Sequence, residues 1–168
     1  MKQGFVKVAS ATPRIRVADP VYNAQVICEQ AKEAAEHGAK IVVFPELCIT
    51  GYTCNDLFLQ ELLLEKAKEA LLTIAEETGQ LETLFLVGLP VDKDGRLYNV
   101  AAVLYRGRIL GMIPKKNIPM YAEFYEGRHF TPGEETVTEY RLGKQVIPFG
   151  SNLLFRCEEL PELILGCE

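Results

Sequence analysis

The sequence has two histidines in 168 residues, no Cys-x-x-Cys pair, no surplus of positive charge, and no apolar run of the roughly eighteen residues that read as a membrane-crossing helix. Each absence excludes a class of function. His37 and His129 lie far apart, and with no paired cysteines the spacing of a zinc site is missing. Lys and Arg number 18 against 23 Asp and Glu, a formal charge of −5, and the positive residues are scattered apart from Lys115-Lys116. A binder of nucleic-acid phosphates or of an anionic membrane concentrates such residues, so neither is an expected partner. The opening MKQGFVKVASATP lacks the apolar stretch of an export signal, which places the expected location in the cytoplasm. Five cysteines at irregular spacings are an odd count, and they read as reduced thiols rather than as a disulfide framework.

What remains is the composition of a soluble globular chain, 48% hydrophobic and 24% charged. A chain of this length buries about 70% of its unfolded surface, enough for one core and too little for two. One domain, or part of one, is expected.

Phe5–Ala9 alternates apolar and polar residues and predicts a half-buried strand. Asp19-Pro20 supplies a cap and a first-turn proline for a helix that aligns Ile27, Ala31, Ala34 and Ala35 on one face and stops at Gly38. Ala39–Phe44 is a near-continuous apolar run, the pattern of a strand covered on both faces. Strand, helix, strand predicts a parallel pair joined by a right-handed crossover. Asp56 is placed to cap a second helix carrying Leu63, Ala67, Ala70, Leu71 and Ile74 on its apolar face, with Gly79 past its end. Leu84–Leu89, Leu97–Tyr105 and Arg108–Ile113 read as strands of an antiparallel meander, turned at Asp92–Gly95 and Arg106-Gly107. Pro114–Gly133 has no sustained period and predicts a long structured loop, and Val146–Cys157 and Leu163–Cys167 read as two further strands.

Two charged residues stand where sheets place chemistry. Glu46 follows a buried strand in VVFPELCITGY, at the edge where open α/β sheets form a crevice. A carboxylate there suits a general base. Lys115 follows another strand end through Pro114, and a lysine beside such a carboxylate can stabilise a developing oxyanion. Taken singly, each also reads as a solvated surface group.

Taken together, FPELCITGY and PKKNIPMYAEFYEGRHFTPG resemble the first and second signature segments of the nitrilase, or carbon–nitrogen hydrolase, superfamily. The run P-x-Y-x-E-F-Y-E after the lysine most resembles the glutaminase domain of glutamine-dependent NAD synthetases. The likeness extends over the whole chain, including LYNVAAVLY around Asn99 and the element Phe130–Gly133. It implies an α/β fold, part of an α-β-β-α sandwich with a mixed sheet. It also implies a Glu–Lys–Cys site in which the glutamate takes the thiol proton, the cysteine attacks an amide carbonyl, and the lysine holds the oxyanion. Glu46 matches the base and Lys115 the lysine. Glu123, eight residues after Lys115, matches a second supporting carboxylate; Tyr121 resembles the glutamine-contacting aromatic, and Tyr52 and Phe124 resemble pocket-lining positions. No metal is implied at this site.

The resemblance sets the nucleophile after an apolar run and a glycine, on a tight turn into a helix. Leu163–Leu165 and Gly166 reproduce that approach, but Cys167 arrives too early, and the spacing puts the nucleophile two residues beyond Glu168. Residues 1–168 are therefore expected to be the N-terminal part of a glutaminase domain, inactive alone. Its ammonia would pass to a synthetase domain of the same parent chain, acting on deamido-NAD. No Ser-Gly-Gly-type nucleotide loop occurs, so no cofactor is expected in this chain, and ATP and Mg are implied only for the synthetase domain. Glutamine is the implied small-molecule partner, and a homo-oligomer the implied assembly. Two other readings stay open: another amidase of the superfamily, and a non-catalytic interaction module that keeps the fold.

Overall fold

The computed structural model describes residues 4–167. Residues 1–3, part of the segment read for an export signal, and Glu168, two residues beyond which the nucleophile is expected, lie outside the described residues.

The first three strands are β1 (Val8–Ser10), β2 (Ile41–Val43) and β3 (Leu84–Lys93), all parallel, with α1 (Pro20–Glu36) and α2 (Glu61–Glu77) in the connections between them. Asp19 caps α1 by accepting from the Tyr22 N–H at 3.1 Å, with Pro20 in the first turn, and Gly38 leaves the helix at φ +81°. β3, β4 (Arg96–Tyr105) and β5 (Arg108–Pro114) form the expected meander. Its two-residue turns, Asp94-Gly95 and Arg106-Gly107, hold positive φ at both positions, which suits the twist of tight hairpins.

One seven-stranded mixed sheet results, in the order β1-β2-β3-β4-β5-β7-β6, where β6 is Thr138–Leu142 and β7 is Gln145–Phe149. Side-chain alternation splits it into two faces. Val42, Phe85, Val87, Leu89, Val100, Ala102 and Leu104 point toward α1 and α2 and form the main core with Ile27, Ala31, Leu71 and Ile74. Ile41, Leu86, Val103 and Ile113 point the other way, against Leu153, Phe155, Leu163 and Leu165 of a small antiparallel hairpin, β8 (Leu154–Arg156) and β9 (Ile164–Gly166). Helices, large sheet and hairpin thus stack as an α-β-β arrangement, in agreement with the expected partial sandwich.

Four details differ from the sequence reading. The first strand lies at Val8–Ser10 rather than Phe5–Ala9, because its parallel register with Ile41–Val43 sets the pairing. Asp56 does not cap α2. It sits in a 3-10 turn over Asn55–Leu59, and Gln60 occupies the cap position. The predicted strand Val146–Cys157 is broken: at Gly150 the chain bonds back to the Met112 carbonyl, at Ser151 to the Glu134 carbonyl, and leaves the large sheet for its opposite face. β6 was not anticipated, although Tyr140 and Leu142 show the buried half of a period-two pattern.

Candidate active site

β2 and β5 run in the same direction in the sheet, so Glu46 and Lys115, 69 residues apart in sequence, emerge from the same edge. After β2 the chain leaves the ladder at Phe44, whose N–H still donates to the Leu86 carbonyl, and rejoins it at Ile49, which donates to the Gly88 carbonyl. Between these anchors Pro45–Leu47 pass directly over Gly88, and Leu47 adopts a left-handed φ of +53°. This tight turn aims Glu46 outward while Leu47 stays buried. Asn23, itself buried, donates to the Ile49 and Arg16 carbonyls at 2.9 and 2.7 Å and fixes the far side of the turn.

Lys115 is held as firmly. Its N–H donates to the Asn99 carbonyl at 2.8 Å, and its own carbonyl accepts from Gly133 at 2.8 Å. Its ammonium donates to Glu46 Oε1 at 2.7 Å and to both oxygens of Glu126, at 3.1 and 2.9 Å. The Asn99 side-chain amide donates to the same Glu46 oxygen, and the Tyr52 hydroxyl donates to Glu126 Oε1 at 2.7 Å. Glu46, Asn99, Lys115, Glu126 and Tyr52 thus form one connected network. Burial graduates across it: the Glu126 side chain is 6% exposed, Lys115 26% and Glu46 40%. Burial works against the Lys115 ammonium, but the hydrogen bonds and charges of Glu46 and Glu126 outweigh it and hold its pKa above the ordinary lysine value. Burial, the hydrogen bond to Glu126 and the charges of Glu126, Glu46 and Glu123 together push the Tyr52 phenol upward, so it stays a donor.

Of the residues singled out in the sequence, Glu46, Lys115 and Tyr52 meet. Glu123 does not join them. It is exposed, and the second carboxylate that contacts Lys115, beside Glu46, is Glu126. Tyr121 and Phe124 pack edge to face at 5.6 Å on the loop beyond the network, with Tyr121 exposed. Asn99 and Glu126 were not assigned site roles from sequence. A signal existed for Asn99, a polar residue inside an otherwise apolar strand.

Residues 7–153 match the family described as carbon-nitrogen hydrolase. The chain belongs to this family. The carbon–nitrogen hydrolase chain is 38% identical over 167 residues to the glutamine-dependent NAD(+) synthetase of Mycobacterium tuberculosis (strain ATCC 25618 / H37Rv), covering 99% of this chain and 25% of that protein. Against the glutamine-dependent NAD(+) synthetase of Acinetobacter baylyi it is 34% identical, over 85% of this chain and 26% of that one. The crystal structure of a glutamine-dependent NAD(+) synthetase from Cytophaga hutchinsonii superposes with a TM-score of 0.85 at 28% identity, covering 92% of this chain and 26% of that one. The carbon–nitrogen hydrolase chain therefore spans about a quarter of the length of these relatives.

Within this carbon–nitrogen hydrolase chain no described thiol joins the network. Cys48 lies two residues from Glu46, but its Sγ is turned into the core toward the Gly88 carbonyl, and Cys54 turns toward the Thr50 carbonyl. Burial raises the thiol pKa of Cys28 to about 11, of Cys48 to about 12, and of Cys54 and Cys167 above the ordinary value. A nucleophilic cysteine needs the opposite shift or an adjacent base. At pH 8 about a thousandth of Cys28 and still less of Cys48 is thiolate. Iodoacetamide at that pH is therefore expected to leave both unmodified in the folded chain and to alkylate both in urea. Rapid labelling without denaturant, read by peptide mass spectrometry, would contradict this burial.

Proposed function

We propose that this chain supplies the base and the cationic half of a glutamine-hydrolysing site, and that the nucleophilic thiol comes from a segment beyond Cys167. The observation that carries this reading is the Lys115 ammonium clamped between Glu46 and the buried Glu126 at one sheet edge. In the proposed reaction Glu46 accepts the proton of the thiol as sulfur attacks the amide carbon. Lys115, kept charged by its two carboxylates, faces the oxygen on which negative charge develops. The C–N bond breaks, the nitrogen leaves as ammonia with the proton returned from Glu46, and a thioester remains. Water, deprotonated by the same carboxylate, then attacks the thioester carbon; the C–S bond breaks, the acid is released, and Glu46 returns the proton to the sulfur. Glu126 and Asn99 act by holding Lys115 and Glu46 in register.

Residues 1–168 are, in this reading, the N-terminal part of a glutaminase domain. The ammonia feeds a synthetase domain of the same parent chain that makes NAD from deamido-NAD, and ATP and magnesium serve that domain. The names of the relatives and the coverage of this chain support the assignment. Association into a homo-oligomer belongs to the same proposal.

The reading is tested by ammonia release from glutamine. The 168-residue chain is expected to match a no-protein control, while the complete protein releases ammonia. Release by the short chain that Cys167→Ala abolishes would move the nucleophile to Cys167.

A further inference from the structure

A cluster outside the proposed catalytic network ties its two loops together. The 3-10 turn Asn55–Leu59 follows the β2 loop that carries Glu46 and Tyr52, and the 3-10 turn Glu126–Arg128 follows the β5 loop that carries Lys115. Asp56 bridges the two turns. Its Oδ2 accepts from Arg128 Nη2 at 3.0 Å, and its Oδ1 lies 3.1 Å from His129 Nε2. The bridge rests on apolar packing: Phe58 meets the His129 ring edge to face at 5.8 Å and the Phe130 ring at 5.0 Å. The His129 side chain is nearly buried beside Asp56.

This bridge bears on Glu126 through the backbone. The N–H groups of His129 and Phe130 both donate to the Glu126 carbonyl, at 3.0 and 2.8 Å. The two residues that anchor Glu126 from behind thus flank or form the attachment to Asp56. With Arg128 and His129 held, the Glu126 backbone is fixed where its carboxylate meets the Lys115 ammonium and the Tyr52 hydroxyl.

We propose that Asp56 is a positioning residue which, by clamping Arg128 and His129, holds the Glu126 carboxylate against the Lys115 ammonium. Asp56 touches no reacting group. Its effect is on how firmly Lys115 keeps its proton, which deepens the reading of the site given above. Lys115 is faced by Glu46 and Glu126, with the Tyr52 hydroxyl on Glu126 and Glu123 close enough to act on Tyr52 by charge. Loosening Glu126 removes one of the two partners that keep Lys115 charged, so the pKa of Lys115 falls.

The test reads that proton directly, without reference to catalysis. Competitive labelling with acetic anhydride near pH 9.5, followed by peptide mass spectrometry, reports the free-amine fraction of each lysine in the 168-residue chain. Glu126→Gln calibrates the full effect of losing the carboxylate charge. Asp56→Asn and Arg128→Gln are each expected to raise the reactivity of Lys115 several-fold, toward the Glu126→Gln level, a one-unit fall in pKa being about tenfold in free amine. Lys68, paired with Asp92 on the helix side, serves as the internal standard and stays unchanged. If both variants fold, by circular dichroism, and Lys115 labels as in the parent, Asp56 has no positioning role. If Lys68 rises with Lys115, the change is a general loosening and the proposal fails. Should Asp56→Asn not fold, Arg128→Gln carries the same decision. Failure of the glutaminase reading would leave this result intact, because it would show in ammonia release and not in the labelling.

Discussion

In the longer glutamine-dependent enzyme proposed above, Glu46→Gln is expected to lower glutamine-driven NAD formation by about 10²–10⁴-fold, the usual contribution of a positioned general base, while supplied ammonia still supports the reaction. Gln keeps the shape of the side chain and an oxygen for Asn99 and Lys115 to donate to, so the turn over Gly88 is undisturbed. Lys115→Ala is expected to be as damaging, but for two reasons that need separation. It removes the cation proposed to face the oxyanion, and it strands Glu126, whose side chain is 6% exposed. An uncompensated buried charge costs roughly 3–5 kcal/mol, here moderated by the hydroxyl that Tyr52 still donates. The double variant Lys115→Ala/Glu126→Gln resolves the two effects. Removing the stranded charge is expected to return much of the lost thermal stability and none of the glutamine-driven activity. Recovery of activity in the double variant, or unchanged activity in Glu46→Gln, would remove these residues from the mechanism.

The parts of the fold set by local periodicity were readable in advance. The capped first helix, the three buried strands and the two glycine turns each follow from patterns within about ten residues. The Glu46 and Lys115 positions were readable for a related reason, since each directly follows a strand whose direction in the sheet could be inferred. The second carboxylate paired with Lys115 was not. Counting from Lys115 along the chain reaches Glu123, but Ala122 takes a left-handed φ of +52° and the chain then winds into a 3-10 turn at Glu126. That path turns Glu123 to solvent and Glu126 inward, and linear spacing carries no record of it. Asp56 was misread by the same logic. An acidic residue before an amphipathic run has the local chemistry of a cap, and only the arrival of Arg128 and His129 from 72 and 73 residues away gives it other partners. The broken strand at Gly150 likewise depends on distant carbonyls, those of Met112 and Glu134.

Gly88→Ala is the substitution expected to damage the site most without touching a charged group. A methyl group built on Gly88 stands 2.4 Å from the Leu47 nitrogen, 2.7 Å from the Pro45 oxygen and 2.9 Å from the Glu46 carbonyl carbon. All three are backbone atoms of the turn that carries the proposed base, so no flexible side chain can swing away. The turn cannot settle elsewhere without breaking the bonds on either side of it, from Phe44 to Leu86 and from Ile49 to Gly88. Overpacking of this kind costs about 1–3 kcal/mol of stability. The functional loss is expected to be larger in proportion, because a displacement of about 1 Å in a reacting group can cost about 10²-fold in rate. Ala102→Val, which adds bulk at a fully buried position on the helix face of the neighbouring strand, provides the comparison. It is expected to lower the melting temperature by a similar amount while leaving kcat for glutamine near that of the parent. If Gly88→Ala loses stability but keeps kcat, the position of Glu46 does not depend on its passage over Gly88. If both variants lose kcat equally, the loss reflects stability alone. Only a fall in kcat specific to Gly88→Ala ties the absence of a side chain in the third strand to the placement of the base above it.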